Sequence, residues 1–155
     1  MKIPEIDMEK LEEVKKLIHQ AACLMEEEDC DAGGEAGQKL AALQDSLRKV
    51  TGRVHADIHD FRAYWSRMDL EEAAKTAMLP RPEKTGLTDE DIRKLIQDIA
   101  HVKYDEAMTE YYLEVLKKET GIGNVMDYIY NPEEVGMDID APVEEIAERV
   151  LADRE

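Results

Sequence analysis

Gly121-Ile122-Gly123-Asn124-Val125-Met126-Asp127-Tyr128-Ile129-Tyr130-Asn131-Pro132 is the stretch that decides how this chain folds. It follows a run with helical periodicity, and glycine is the usual residue just past a helix C-terminus. Pro132 closes the stretch, because proline pushes the residue before it out of helical geometry. Little more than one helical turn fits between these stops. Such a turn is marginal on its own in water, so it must either plug a core or present side chains. Two tyrosines and an aspartate crowd into it, in a chain with 5% aromatic residues. The spacing assigns Val125 and Ile129 to the inward face and Asp127 and Tyr130 to another.

Working backwards, Asp105 predicts a helix start. Met108, Tyr112, Val115 and Leu116 face inward, Glu106, Glu110 and Glu114 lie outward at i, i+4 spacing, and Lys117 and Lys118 suit the C-terminal end. Before it, Thr88-Asp89-Glu90-Asp91 is a strong helix start, followed by the apolar face of Ile92, Leu95, Ile96 and Ile99. His101 falls near that helix's end and is read as a cap. Working forwards, an acidic loop from Glu133 to Asp140 leads to Asp140-Ala141-Pro142, which opens a last helix through Val143, Ile146, Ala147 and Val150. Residues 88–155 are therefore predicted to form a four-helix module with one very short helix.

The N-terminal half has a different character. Leu11, Val14, Ile18, Ala21 and Met25 give a 3-4-3-4 seam on a helix from Met8 to about Glu28. The cluster from Asp29 to Gly37, with Asp31, Ala32, Gly33, Gly34 and Gly37, breaks it. The pattern resumes at Leu40, Leu43, Leu47, Val50, Val54, Ile58, Phe61, Trp65 and Met68, which predicts one long helix with an internal Gly52. Two helices joined by a short glycine-rich loop make an antiparallel hairpin. Asp69 is expected to cap a short helix from Leu70 to about Leu79, and Pro80-Arg81-Pro82 ends it. The aromatic cluster Phe61, Tyr64 and Trp65 is expected to lock the hairpin onto the C-terminal module. The fold expected is all-α, with a hairpin plus short helix over 1–80, a linker at 81–87 and the module over 88–155.

Composition narrows the function classes. The 155 residues carry a formal net charge of −17, most of it beyond Leu87. Such a surface repels nucleic acid and anionic membrane and steers basic partners inward. Met1-Lys2-Ile3-Pro4-Glu5-Ile6-Asp7 has no apolar leader pattern and no stretch reaches membrane-spanning length. Cys23 and Cys30, if on one helix, lie ~10 Å apart along its axis and read as reduced thiols, so a cytoplasmic location is expected. His19 with Cys23, and His55 with His59, have the i, i+4 spacing of metal ligands. Counted from a hairpin turn near Gly33, however, the two pairs sit well out of level. No catalytic residue, cofactor or metal is expected, and Gly33-Gly34 and Gly121-Ile122-Gly123 lack the residues of a phosphate cradle.

At Asp127-Tyr128-Ile129-Tyr130-Asn131-Pro132 the chain resembles a known family. Residues 87–154 are similar to the immunity proteins of colicin- and pyocin-type nuclease bacteriocins. These are small acidic four-helix proteins whose short third helix carries Asp-x-Ile-Tyr-Tyr-Pro. Thr120, at the end of the second helix, and the acidic loop before Pro142 follow the family order. The resemblance implies that the short helix supplies a common patch for a basic nuclease while the second helix selects which one. It carries Asp127 and Tyr130 over as contact residues, with Asn131 where the second tyrosine stands and Tyr128 where an aliphatic residue is usual. Glu106, Glu110, Leu113 and Lys117 occupy the partner-choosing positions. The expected function is neutralisation of a basic toxin by occluding its nucleic-acid-binding surface, with the N-terminal hairpin available for self-association as a homodimer. The alternative is a helical structural or regulatory module for an unspecified protein partner.

Overall fold

The computed structural model describes residues 4–155; Met1, Lys2 and Ile3, the start of the segment read as leaderless, lie outside the described residues. Among these the protein is all-α, with seven α-helices and no strand. None of the described helices is long and apolar enough to cross a membrane. The chain divides into two compact units, one ending at Arg81 and the other running from Pro82 to Glu155.

In the N-terminal unit, Asp7 starts α1 (Met8–Glu27), its carboxylate accepting the N–H groups of Glu9 at 2.9 Å and Lys10 at 3.3 Å. The predicted seam of Leu11, Val14, Ile18, Ala21 and Met25 is buried. It packs on α2 (Gly34–Thr51) and α3 (Leu70–Met78). Asp69 caps α3 through the Glu72 N–H at 2.7 Å, as its position predicts.

The long second helix expected from Leu40 to Met68 does not form. It stops at Thr51, and Gly52 takes the left-handed conformation at φ 68° while its N–H donates to Arg48 O. Apolar periodicity continued past this point because the chain still returns to the same core, now in two 3-10 turns at Ile58–Phe61 and Tyr64–Ser66. Gln44 makes the break possible. Buried on α2, it donates to Ala56 O and accepts from the Ile58 N–H, both at 2.7 Å, replacing bonds that a continuous helix would have made. Val54, placed in the predicted stripe, is instead 85% exposed. Of the aromatic cluster, Phe61 and Tyr64 are buried in the core of the N-terminal unit, and Trp65 is 48% exposed.

The C-terminal unit has the four helices the sequence predicts: α4 (Asp89–Ala100), α5 (Glu106–Thr120), α6 (Val125–Tyr130) and α7 (Val143–Asp153). Thr88 and Asp91 close a reciprocal capping box on α4. Its buried Ile92, Leu95, Ile96 and Ile99 are worth roughly 1.5–3 kcal/mol each on transfer from water. α4 packs chiefly on α7, and α6, only six residues long, touches α4, α5 and α7.

One polar side chain that the sequence reading passed over fastens the start of this unit. Glu119 is 7% exposed. Its carboxylate accepts the N–H groups of Thr85, Gly86 at 3.1 Å and Leu87 at 3.1 Å. Three of the seven residues read as a linker are thus tied down. The signal was present: an acid in the last helical turn opposes the helix dipole unless something there satisfies it.

Candidate protein-binding face

The short helix α6 divides its side chains as its spacing requires. Val125 and Ile129 are buried, while Tyr130 is 49% exposed and Asp127 half-buried. Pro132 ends it, and Asn131 N–H donates to Asp127 O at 2.8 Å. The Asn131 side chain turns back to the Asp127 carboxylate at 3.4 Å.

Tyr128, expected as a contact residue, is corrected by the structure. It is 7% exposed, and its hydroxyl donates to Asp153 Oδ2 at 2.8 Å. Arg149 reaches the same oxygen at 2.9 Å. Burial and the Asp153 carboxylate raise the Tyr128 hydroxyl above its ordinary value, and the Tyr128 and Arg149 hydrogen bonds lower the Asp153 carboxyl. Tyr128 therefore anchors α6 to α7. Leu113 is also corrected, being 4% exposed. α5 buries residues on more than one stripe, including Ala107, Tyr112, Leu113, Leu116 and Thr120, so the outward face is narrower than the i, i+4 reading allowed. Lys117 is half-buried and pairs with Glu114 at 2.8 Å.

Three of the predicted contact residues meet. Tyr130, Glu106 and Glu110 line one shallow groove of about 300 Å³, whose other walls are Ile99, Val102, Tyr104 and Thr109. Asp127, Asn131 and Lys117 do not line it. Tyr104 is held in place from two sides. Its ring lies 4.8 Å from the ring of buried Tyr112, and its hydroxyl donates to Asp98 Oδ2 at 2.8 Å. Burial alone would raise the Asp98 carboxyl, but Lys94 at 2.7 Å and the Tyr104 hydroxyl hold it below its ordinary value. Burial and then the Asp98 carboxylate push the Tyr104 hydroxyl well above the usual tyrosine value. The groove wall is therefore pre-organised.

Sequence reasoning missed Val102. After α4, Val102 N–H donates to Ile99 O at 3.1 Å and Lys103 N–H to Asp98 O at 2.9 Å. That pair of bonds is the Schellman ending, which places the residue after the C-cap in the left-handed region and normally makes it glycine. Here the residue is a β-branched valine at φ 55°, 81% exposed. A valine in that conformation is an outlier, of the kind concentrated at functional sites. Its only sequence signal was negative: no glycine follows α4.

Comparison of the chain with protein-family models, with curated proteins and with solved structures finds no match. Among the described residues, no three His, Cys, Asp or Glu side chains gather to hold a metal ion. His55 and His59 lie beyond the end of α2. His55 Nε2 meets Leu79 O at 3.2 Å and His59 Nδ1 meets Asp57 at 3.0 Å. What the groove offers chemically is an apolar and aromatic floor with two carboxylates at its edge, suited to a side chain that is both cationic and partly apolar.

Proposed function

We propose that this protein is a cytoplasmic, non-catalytic acidic binding protein that neutralises a basic nuclease-type toxin, as the resemblance of residues 87–154 to nuclease-bacteriocin immunity proteins implies. The observation that carries the reading is the groove on the C-terminal unit. There half-exposed Tyr130 and strained Val102 stand beside Glu106 and Glu110. A nuclease is basic where it grips phosphate. The net charge of −17 competes for that field and accelerates encounter. Tyrosine in a pre-formed groove then supplies the desolvated anchor that slows dissociation. Blocking nucleic acid needs occlusion and like-charge repulsion alone.

The test is recovery of a basic nuclease with the protein from its native cells at low salt, and its release at high salt, as an electrostatically steered complex requires. Tyr130→Ala is then expected to weaken the complex by about 2 kcal/mol, roughly thirtyfold in Kd, with the unfolding midpoint unchanged. Unfolding of Tyr130→Ala, or a recovered partner whose binding ignores both salt and Tyr130, rules the reading out.

A further inference from the structure

We infer that Cys23 is a site of reversible S-thiolation, a thiol equipped with its own base and able to exchange with low-molecular-weight disulfides. This rests on the N-terminal unit and is independent of the groove. Cys23 and His19 stand one turn apart on α1, with Cys23 Sγ 3.6 Å from His19 Nε2. The other imidazole nitrogen, Nδ1, lies 2.8 Å from the Tyr64 hydroxyl. A nucleophile within reach of a base, with that base oriented by a third group, is the general pattern of an activated nucleophile.

The orienting group is fixed by the fold. Tyr64 is 6% exposed in the core of the N-terminal unit, and its ring meets Trp65 edge-on at 5.3 Å. The broken second helix brings it there: a continuous helix through Gly52 would have carried residue 64 elsewhere. With the imidazole proton on Nδ1 and donated to Tyr64, Nε2 presents its lone pair to the thiol. Tyr64 is thus a positioning residue for His19.

The groove beside the base is open, and the thiol stands next to it rather than in its lining. His19 is exposed, and lines a shallow groove of about 340 Å³ together with Lys15, Lys16 and Leu70. Cys23 is half-buried. The second thiol provides an internal contrast: Cys30 is 8% exposed and its Sγ faces Leu24 O at 3.9 Å, with no imidazole beside it.

The step balances without a metal or cofactor. The thiol proton of Cys23 passes to His19 Nε2 as Sγ attacks one sulfur of the incoming disulfide. A new S–S bond forms while the reagent's own S–S bond breaks. The departing thiolate takes the proton back from the imidazolium. Cys23 is oxidised to the mixed disulfide and the reagent, which is the oxidant, leaves as one thiol.

The experiment uses the whole protein and glutathione disulfide, with the modified cysteine located by peptide mass. In the native protein at pH 6.5, Cys23 is expected to react and Cys30 to remain free. The rate at Cys23 should exceed that of the same residue in urea-unfolded protein, despite its partial burial. His19→Gln is expected to slow the reaction roughly tenfold at pH 6.5, where an unassisted thiol is ~1% ionised. The difference should shrink towards none by pH 9.5, where thiols ionise without help, and Tyr64→Phe should give a smaller deficit with the same pH dependence. A native rate below the unfolded one overturns the proposal without recourse to any variant. So does a His19→Gln deficit of constant size across pH, which would mean that His19 merely shapes access.

Discussion

α4 and α5 both end by passing through the left-handed region, with opposite side-chain choices. α5 ends on Gly121 at φ 75°, with its N–H donated to Lys117 O. α4 passes through Val102 at φ 55°. A Cβ in the left-handed region costs roughly 1–2 kcal/mol, and the chain avoids that cost at Gly52 as well as at Gly121. At Val102 it accepts it, with an exposed apolar side chain beside Tyr130 and the two carboxylates. Gly121 is a choice made for folding. Val102 has no packing reason at 81% exposure; the proposed contact with a basic partner would give it one.

The largest expected effect lies at the conventional end. Gly121→Ala brings both the left-handed penalty and a crowded Cβ, which would stand 3.0 Å from Glu155 Cβ and Oε2. Glu155 N–H also donates to Thr120 O at 2.8 Å, so Glu155 must give way against a bond that holds it. A loss of about 2 kcal/mol is expected in denaturant unfolding. Gly52→Ala meets nothing within 4 Å and should cost only the conformational penalty, about 1 kcal/mol. Equal losses at the two sites would show that the Glu155 contact yields freely.

Much of this was legible in the sequence, and the parts that were not share a cause. Periodicity gave α1, the caps Asp69, Thr88 and Asp105 added α3, α4 and α5, and the stops at Gly121 and Pro132 gave α6, because such residues act locally and leave a local mark. The end of α2 was misread because apolar spacing continues through Val54 and Ile58, whereas the decisive partner is Gln44, twelve and more residues away and unremarkable by itself. Glu119 and Tyr128 were hidden for the same reason: each is defined by a distant partner, Thr85–Leu87 in one case and Asp153 in the other. In the candidate site, outward carboxylates and Tyr130 followed from helix spacing. Val102 did not, because a valine carries no signal of a left-handed φ where a glycine would.

A smaller effect, one that vanishes in acid, tests what holds the strained turn. Asp98 accepts from Lys94 and from Tyr104, two residues past Val102, and its carboxyl is held below its ordinary value. A group depressed in the folded state contributes stability that is present above its unfolded value, about pH 4, and lost as pH falls through the folded one. Asp98→Asn is therefore expected to be less stable than the parent at pH 6, with the gap closing on acidification below about pH 4. A gap that stays constant down to pH 2.5 would mean that the carboxylate charge plays no part in holding the turn.

The smallest expected change in stability is also the one that bears most on function. Val102→Gly relieves roughly 1–2 kcal/mol of strain, while the added freedom of glycine in the unfolded chain takes back about 0.5–1 kcal/mol. The net expectation is a gain of about 0.5 kcal/mol, read as a slightly higher denaturant midpoint. Binding should move the other way. If Val102 is part of the contact face, its loss weakens the complex with the basic partner even though the protein is more stable, and Val102→Ala, which keeps the strain but shortens the side chain, weakens it too. Stability and affinity falling together in Val102→Gly would place the residue among the groups that hold the fold, and the groove would lose the feature that most distinguishes it from the Gly121 end.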